Sequence, residues 1–130
     1  MFWRGRGARK TRQELARIGE EHAARYLRSV GYRVRERNYR TRSGEIDIVA
    51  EHKGALVFVE VKARSATDFA EPRESVTATK QRQIARVAAS YLGARERRER
   101  VTRFDVVEVF VTPEGRVEKL NVIAGAFEAR

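Results

Sequence analysis

The apolar and polar positions along the chain follow two different periods, and the longer period predicts two helices. Residues 12–30 place their apolar side chains on one continuous arc at about 100° per residue, which predicts an amphipathic helix that ends near Gly31. A second helix is predicted to begin at about Ser75 or Thr77, either of which can cap it, and to run to about Leu92, with Gly93 as its stop.

Strands are predicted where apolar side chains alternate with polar ones or form short β-branched runs. The predicted strands are 32–39, 45–50, 55–62, 103–111 and 116–122. Alternation in the second strand places Ile46 and Ile48 on one face and Glu45 and Asp47 on the other. The second helix is long enough for a crossover between the third and fourth strands. The order therefore predicts an α/β fold with a mixed sheet flanked by helices.

Length and composition narrow the class of protein. At 130 residues the chain suits one domain, which we expect to cover residues 12–130 behind a flexible basic arm at residues 1–11. The sequence has no cysteine, which excludes disulfides, thiolate metal sites and a cysteine nucleophile. No apolar run reaches the roughly 18 residues of a membrane span, and no apolar stretch follows the N-terminal charges. We therefore expect a cytoplasmic protein that does not enter a membrane.

The charge of the chain is large and unevenly distributed. The sequence has 28 basic and 18 acidic residues, a net charge of +10, and residues 1–40 alone hold 12 Arg or Lys against 4 Glu. Such a surface attracts polyanions, and nucleic acid is the commonest polyanion in a cell. Charge alone does not separate DNA from RNA, or binding from catalysis. Solvated helix faces in an arginine-rich protein are the alternative.

Acidic residues occur in two predicted strands where a core strand is normally apolar. Glu60 lies near Asp47 if these strands are antiparallel neighbours in the matching register. Neighbouring carboxylates repel and burial raises their pKa values, whereas Mg²⁺ removes the repulsion and prefers such oxygens. Lys62, two residues after Glu60, would then act on the attacking water or on transition-state charge. An exposed cross-strand salt bridge is the alternative.

The segments 44–50 (GEIDIVA) and 56–64 (LVFVEVKAR) resemble the PD-(D/E)XK nuclease superfamily. More closely, the chain resembles the YraN-like uncharacterised family, which is related to archaeal Holliday-junction resolvases. The other matching segments are GEEHAARYL at 19–27, RNYR at 37–40, SVTATKQRQI at 75–84, RFDVV at 103–107 and AF at 126–127. The resemblance therefore covers nearly the whole chain from about residue 15, although Ile46 replaces the proline of the eponymous motif. It implies a restriction-endonuclease-like α-β-β-β-α-β-β core.

The resemblance implies a role for each matching residue. The positions that match catalytic and metal-binding residues are Glu20, Asp47, Glu60 and Lys62, with the backbone carbonyl of Val61 in the metal shell and Glu45 in a supporting position. The positions that match residues facing the phosphate backbone are Asn38, Arg40, Arg64 and Lys80. The implied cofactor is Mg²⁺ or Mn²⁺, and the implied partner is nucleic acid, with DNA favoured.

The activity that the resemblance implies is metal-dependent endonucleolytic hydrolysis of DNA, with branched or structured DNA as the substrate. It also implies a homodimer, because resolvase-like members cut two strands symmetrically. A non-catalytic nucleic-acid-binding protein on a nuclease fold is the alternative, and a basic RNA- or ribosome-associated protein is a third. Among the remaining polar residues, we expect His22 to be packed, His52 to be solvated in a turn and Asp105 to pair with Arg103.

Overall fold

The five strands of the described chain lie in one sheet, in the same order as in the sequence. The computed structural model describes residues 8–65, 76–96 and 99–128. Its elements are α1 (Arg12–Ser29), β1 (Arg33–Thr41), β2 (Gly44–His52), β3 (Ala55–Ser65), α2 (Ala78–Arg95), β4 (Thr102–Val111) and β5 (Val117–Phe127). In this part of the chain, the predicted α/β class and the mixed sheet flanked by helices are confirmed.

The pairing of the strands explains the position of α2. The pairs β1–β2, β2–β3 and β4–β5 are antiparallel, whereas β3 and β4 are parallel. A parallel pair needs a long connection, and α2 lies in the connection from β3 to β4. The first half of β3 is continuously apolar and buried from Ala55 to Val59, as expected for a strand covered on both faces.

Each helix covers one face of the sheet. The cluster on the α1 side contains Ala23, Ala24 and Leu27 with Ile48, Val57, Val59, Val107 and Val109. The cluster on the α2 side contains Ile84, Val87, Ala88 and Tyr91 with Val49, Leu56, Phe58 and Phe104. Each large side chain buried in this way contributes roughly 1.5–3 kcal/mol. The strands that carry the acidic residues are therefore held from both sides.

The buried stripe of α1 is narrower than the predicted arc. Its buried residues are Gly19, Ala23, Ala24 and Leu27, whereas Tyr26 and Val30 are 43% and 45% exposed. The helix lies close to β3, since a Cβ atom added at Gly19 would be 3.4 Å from the Cβ of Ala63. A close approach through small residues leaves the flanks of the helix outside the contact. His22 is half-buried.

The ends of two elements differ from the predictions. α2 passes through Gly93 and ends at Arg95, whose guanidinium lies 5.7 Å from the ring centre of Tyr91. An internal glycine costs a helix only about 1 kcal/mol, which such contacts can offset. β5 continues to Phe127, whose ring stacks on Phe104 with 4.9 Å between the ring centroids.

Some predictions fall outside the described residues. These are residues 1–7 of the basic arm and Ser75 as a helix cap. The other candidate cap, Thr77, accepts a hydrogen bond of 3.1 Å from the backbone N–H of Lys80 and begins α2. Neither described helix combines the length and the apolar character that a membrane span requires.

Asp105 is a fully buried carboxylate that joins β4 to β5 and to the segment before β1. It accepts hydrogen bonds from the Tyr32 hydroxyl at 2.7 Å, from the Arg103 guanidinium at 2.9 Å and from the Gly125 backbone N–H at 2.9 Å. Burial alone would raise the pKa of Asp105, but these donors outweigh it and hold the pKa below its ordinary value. The predicted pair with Arg103 is confirmed.

The prediction for His52 is wrong. The residue ends β2 instead of standing in a solvated turn. Its ring stacks on Tyr32 at 3.9 Å between centroids, and its Nδ1 atom is 2.8 Å from a terminal nitrogen of Arg103. β2 therefore extends two residues past the predicted end at residue 50. The contacts of His52 with Tyr32 and Arg103 stabilise this extension in place of apolar packing.

Removal of the Asp105 carboxylate tests this network. Asp105→Ala leaves buried donors without an acceptor, and we expect it to lower the free energy of unfolding by about 3 kcal/mol. Urea denaturation followed by circular dichroism measures the change. Glu118→Ala is the matched control, because its ion pair with Arg116 is solvent-exposed and is worth less than about 1 kcal/mol. Equal effects of the two substitutions would contradict the structural role of Asp105.

Candidate functional site

The acidic residues of β2 and β3 meet where the two strands separate. Main-chain pairing between these strands ends at the pair of Ile48 and Val59. One residue beyond it, the Oδ2 atom of Asp47 accepts a hydrogen bond of 2.8 Å from the backbone N–H of Val61. The side chain thus satisfies a main-chain donor beyond the end of the ladder. This bond fixes the Asp47 carboxyl against β3, next to Glu60.

The predicted alternation of β2 fails at this point. Ile48 packs in the cluster on the α1 side, but Ile46 packs in the cluster on the α2 side, so the shared face predicted for them is wrong. The neighbouring strand is irregular at the same level. Asn38, between the paired residues Arg37 and Tyr39, has a φ angle of +53°. Asparagine adopts this left-handed conformation more readily than most residues.

Asp47 and Glu60 form a largely buried pair of carboxyl groups. Burial, and then the charge of Glu60, raises the pKa of Asp47 to about 8, so Asp47 holds a proton at neutral pH. Burial also raises the pKa of Glu60, whose side chain is only 12% exposed. The interaction with Asp47 lowers the pKa of Glu60, but burial has the larger effect. The proton on Asp47 lowers the repulsion between the two carboxyl groups.

Two lysines lie close to this pair. The Nζ atom of Lys80 is 3.9 Å from Oε2 of Glu60. Lys62 follows Glu60 by two residues, which places the two on the same face of β3. The charges of both lysines lower the pKa of Glu60, but burial has the larger effect. The pair is therefore bordered by cations that do not fully neutralise it.

Glu20 and Glu45 flank the pair from α1 and from the start of β2. Their charges contribute to the raised pKa of Asp47. The Oε1 atom of Glu20 accepts a hydrogen bond of 3.2 Å from the side chain of Asn38. The Oε2 atom of Glu45 is 3.4 Å from Nε of the exposed Arg40. In this arrangement, Asn38 and Arg40 contact the flanking acids.

Arg64 has a buried acidic partner. Its Nε atom donates to Oε2 of Glu108 at 2.9 Å. Glu108 is 4% exposed, lies opposite Lys62 in the register of β3 and β4, and also accepts a hydrogen bond of 3.3 Å from Asn121. Glu108 is not among the residues that the sequence predicts for the site. An acid inside the apolar segment 104–111 is nevertheless the same signal that marked the acids of β2 and β3.

The donor atoms at the pair suit a hard divalent cation. Asp47 and Glu60 supply carboxylate oxygens, and the carbonyl of Val61 follows directly in β3; Mg²⁺ commonly takes one or two carboxylates and keeps several waters. Within residues 8–65, 76–96 and 99–128, no three His, Cys, Asp or Glu side chains are grouped closely enough to hold an ion. The arrangement thus brings two of the predicted acidic ligands together and leaves Glu20 bonded to Asn38.

Known proteins resemble this chain over most of its length. The model of the uncharacterised protein family UPF0102 matches residues 19–109, a range that contains Glu20, Asp47 and Glu60. A UPF0102 protein of Moorella thermoacetica is 48% identical over 117 residues, which cover 90% of this chain and 98% of the relative. A UPF0102 protein of Myxococcus xanthus is 44% identical over 126 residues, which cover 95% and 97%.

Neutralising Asp47 tests the electrostatics of the pair without any metal. Since its pKa is about 8 in the folded protein and 3.8 ordinarily, the folded state binds this proton more tightly. The stability that this proton gives the wild type is therefore lost as the pH rises from about 4 to about 8. Asp47→Asn removes the titration. In EDTA at pH 8 we expect it to raise Tm by about 3–5 °C.

The measurement is thermal unfolding of both proteins at several pH values between 4 and 8. The difference in Tm between Asp47→Asn and wild type is expected to grow with pH. Glu118→Gln serves as the control, because its exposed carboxylate pairs with Arg116. A difference that is constant or shrinks with pH would show that Asp47 is not held protonated by its surroundings.

Proposed function

The chain belongs to the uncharacterised protein family UPF0102, and we propose that it is a metal-dependent endonuclease that hydrolyses phosphodiester bonds in DNA. The observation that carries the proposal is the pair of Asp47 and Glu60, held together in a largely buried position within a chain of net charge +10. We further propose that the core is restriction-endonuclease-like, of the PD-(D/E)XK type, and that branched or structured DNA is the substrate.

A divalent cation accounts for this pair better than a structural role does. A carboxyl group that serves only structure is normally surrounded by donors, as Asp105 is. Asp47 has one main-chain donor and faces other carboxylates instead. Perturbed acids of this kind cluster at functional sites. Mg²⁺ or Mn²⁺ would replace the proton on Asp47 and would be held by Asp47, Glu60 and the carbonyl of Val61, with Glu20 as the proposed fourth ligand.

Each residue of the candidate site has a separate role in the proposed reaction. A bound cation supplies charge for the phosphate oxygens and lowers the pKa of water. Asp47 and Glu60 would hold the cation, and the Val61 N–H keeps Asp47 in place. Lys62 lies on the same face of β3 as Glu60, where its ammonium group can orient the attacking water or stabilise transition-state charge. Lys80, 3.9 Å from Glu60, adds positive charge beside the phosphate.

Cleavage assays test this assignment directly. The full-length protein is incubated with Mg²⁺ or Mn²⁺ and labelled duplex, single-stranded and four-way-junction DNA. We expect metal-dependent cutting that falls at least about 100-fold in Asp47→Ala and in Glu60→Ala, because each removes a cation ligand. Glu118→Ala should cut at the wild-type rate. Cutting that persists unchanged in Asp47→Ala would refute the site assignment.

Calorimetric titration with Mn²⁺ separates metal binding from the chemical step. We expect Lys62→Ala to bind Mn²⁺ like the wild type but to lose about 100-fold in cleavage rate, since Lys62 acts on the reacting groups and not on the cation. Glu60→Ala should lose the binding heat. Salt-sensitive DNA binding without cleavage by the wild type under either cation would instead favour a non-catalytic nucleic-acid-binding protein.

A further inference from the structure

A cleft of about 520 Å³ opens beside Glu60, and the acidic pair does not account for it. One wall is formed by residues 9–16 at the start of α1, and the other by residues 60–65 of β3. Val111 at the end of β4 and Pro113 just after it also line the cleft. The six residues of β3 extend about 16 Å along the cleft. The cleft is therefore a groove that leads away from Glu60.

The wall before α1 is held in place by main-chain contacts. The backbone N–H of Lys10 donates to the carbonyl of Pro113 at 2.8 Å. Thr11 caps the helix in a reciprocal capping box with Glu14. The side chain of Lys10 also lies against the turn between β4 and β5, since a Cβ atom added at Gly115 would be 3.3 Å from it. These contacts fix the position of this wall of the groove.

Within the described residues, three of the cations that line the groove lack an acidic partner, whereas Arg64 pairs with Glu108. Arg9, Arg12 and Lys62 have no carboxylate within ion-pair distance in the part of the chain that the structure describes. Glu60 is the acidic residue among those that line it. Such a distribution attracts phosphate groups. The remaining lining is aliphatic, and no aromatic ring occurs among the described lining residues, so the groove lacks a platform on which bases stack.

The volume of the groove limits what can enter it. Pockets of about 300–1,000 Å³ hold small molecules, which suits a few linked sugar-phosphate units. A DNA duplex is far too wide for such a space, since its major groove alone measures roughly 12 Å across. A single strand fits, with its phosphates near the cations and its sugars against the aliphatic side chains.

We infer that the groove binds the backbone of a single-stranded DNA segment that leaves the duplex next to the acidic pair. The inference rests on the proposed nuclease function for the identity of the polyanion. It narrows the substrate to duplex DNA with an unpaired strand, such as a tail or a flap. Recognition is of the sugar-phosphate chain and is independent of base sequence.

Fluorescence anisotropy in EDTA tests this inference apart from cleavage. The full-length protein is titrated with a blunt duplex and with the same duplex lengthened by about six base pairs. It is also titrated with the original duplex carrying a single-stranded tail of about six nucleotides, at the 5′ end in one substrate and at the 3′ end in another. We expect a tail of one polarity to increase affinity at least about fivefold more than the added base pairs do. An abasic tail should retain this gain, because the backbone is what binds.

Charge-matched variants locate the tail. Arg9→Ala with Arg12→Ala should abolish the gain and reduce the slope of log K against log salt by about 1.4, at about 0.7 per lost phosphate contact. Arg28→Ala with Arg86→Ala removes the same charge from exposed helix positions outside the groove and should keep the gain. Circular dichroism confirms that both variants are folded.

Three outcomes would overturn the inference. They are no gain from a tail of either polarity, a gain that persists in the Arg9 and Arg12 double variant, and a gain lost with an abasic tail. Failure of the proposed nuclease function is distinguishable, since it appears as absent cleavage with Mg²⁺ or Mn²⁺ whatever the tail does in EDTA.

Discussion

The burial of two carboxyl groups side by side is the constraint on which the candidate site depends. Asp47 and Glu60 cannot both be ionised there without a large cost, because burial removes their hydration and each repels the other. The fold does not let them separate, since Val61 binds Asp47 and β3 is held between two apolar clusters. A proton or a cation must therefore compensate the pair. The rigid strands make this a fixed property of the protein.

The two buried aspartates of the chain show how surroundings decide the role of the same side chain. Asp105 is enclosed by a hydroxyl, a guanidinium and a main-chain N–H, and its pKa is lowered despite complete burial. Asp47 has one N–H donor and acidic neighbours, and its pKa is raised. The first arrangement stabilises a charge and links strands. The second makes ionisation of Asp47 unfavourable, so that Asp47 keeps a proton unless a ligand supplies positive charge.

The sequence predicted the elements well because each has its own local pattern. The helical arc of α1, the alternation of β2 and the apolar run of β3 do not depend on distant residues. The register of β2 and β3 could not be predicted, because periodicity fixes faces and not partners. β1 is irregular at Asn38, and the Asp47 side chain accepts a hydrogen bond from the Val61 backbone N–H. At this position Ile46 lies on the other face of the sheet. Likewise, only the fold brings the groove wall of residues 9–16 to the end of β3.

The groove and the acidic pair have opposite charge, and this difference sets the order in which they can be filled. A phosphate placed in the groove next to Glu60 is attracted by Arg9 and Arg12 but repelled by an ionised pair. The proton on Asp47 reduces that repulsion without providing a positive charge. A divalent cation at the pair would reverse its sign and join the groove and the site into one continuous positive surface. The strand would then be held more tightly with the cation than in EDTA, which couples binding of the substrate to readiness for its cleavage.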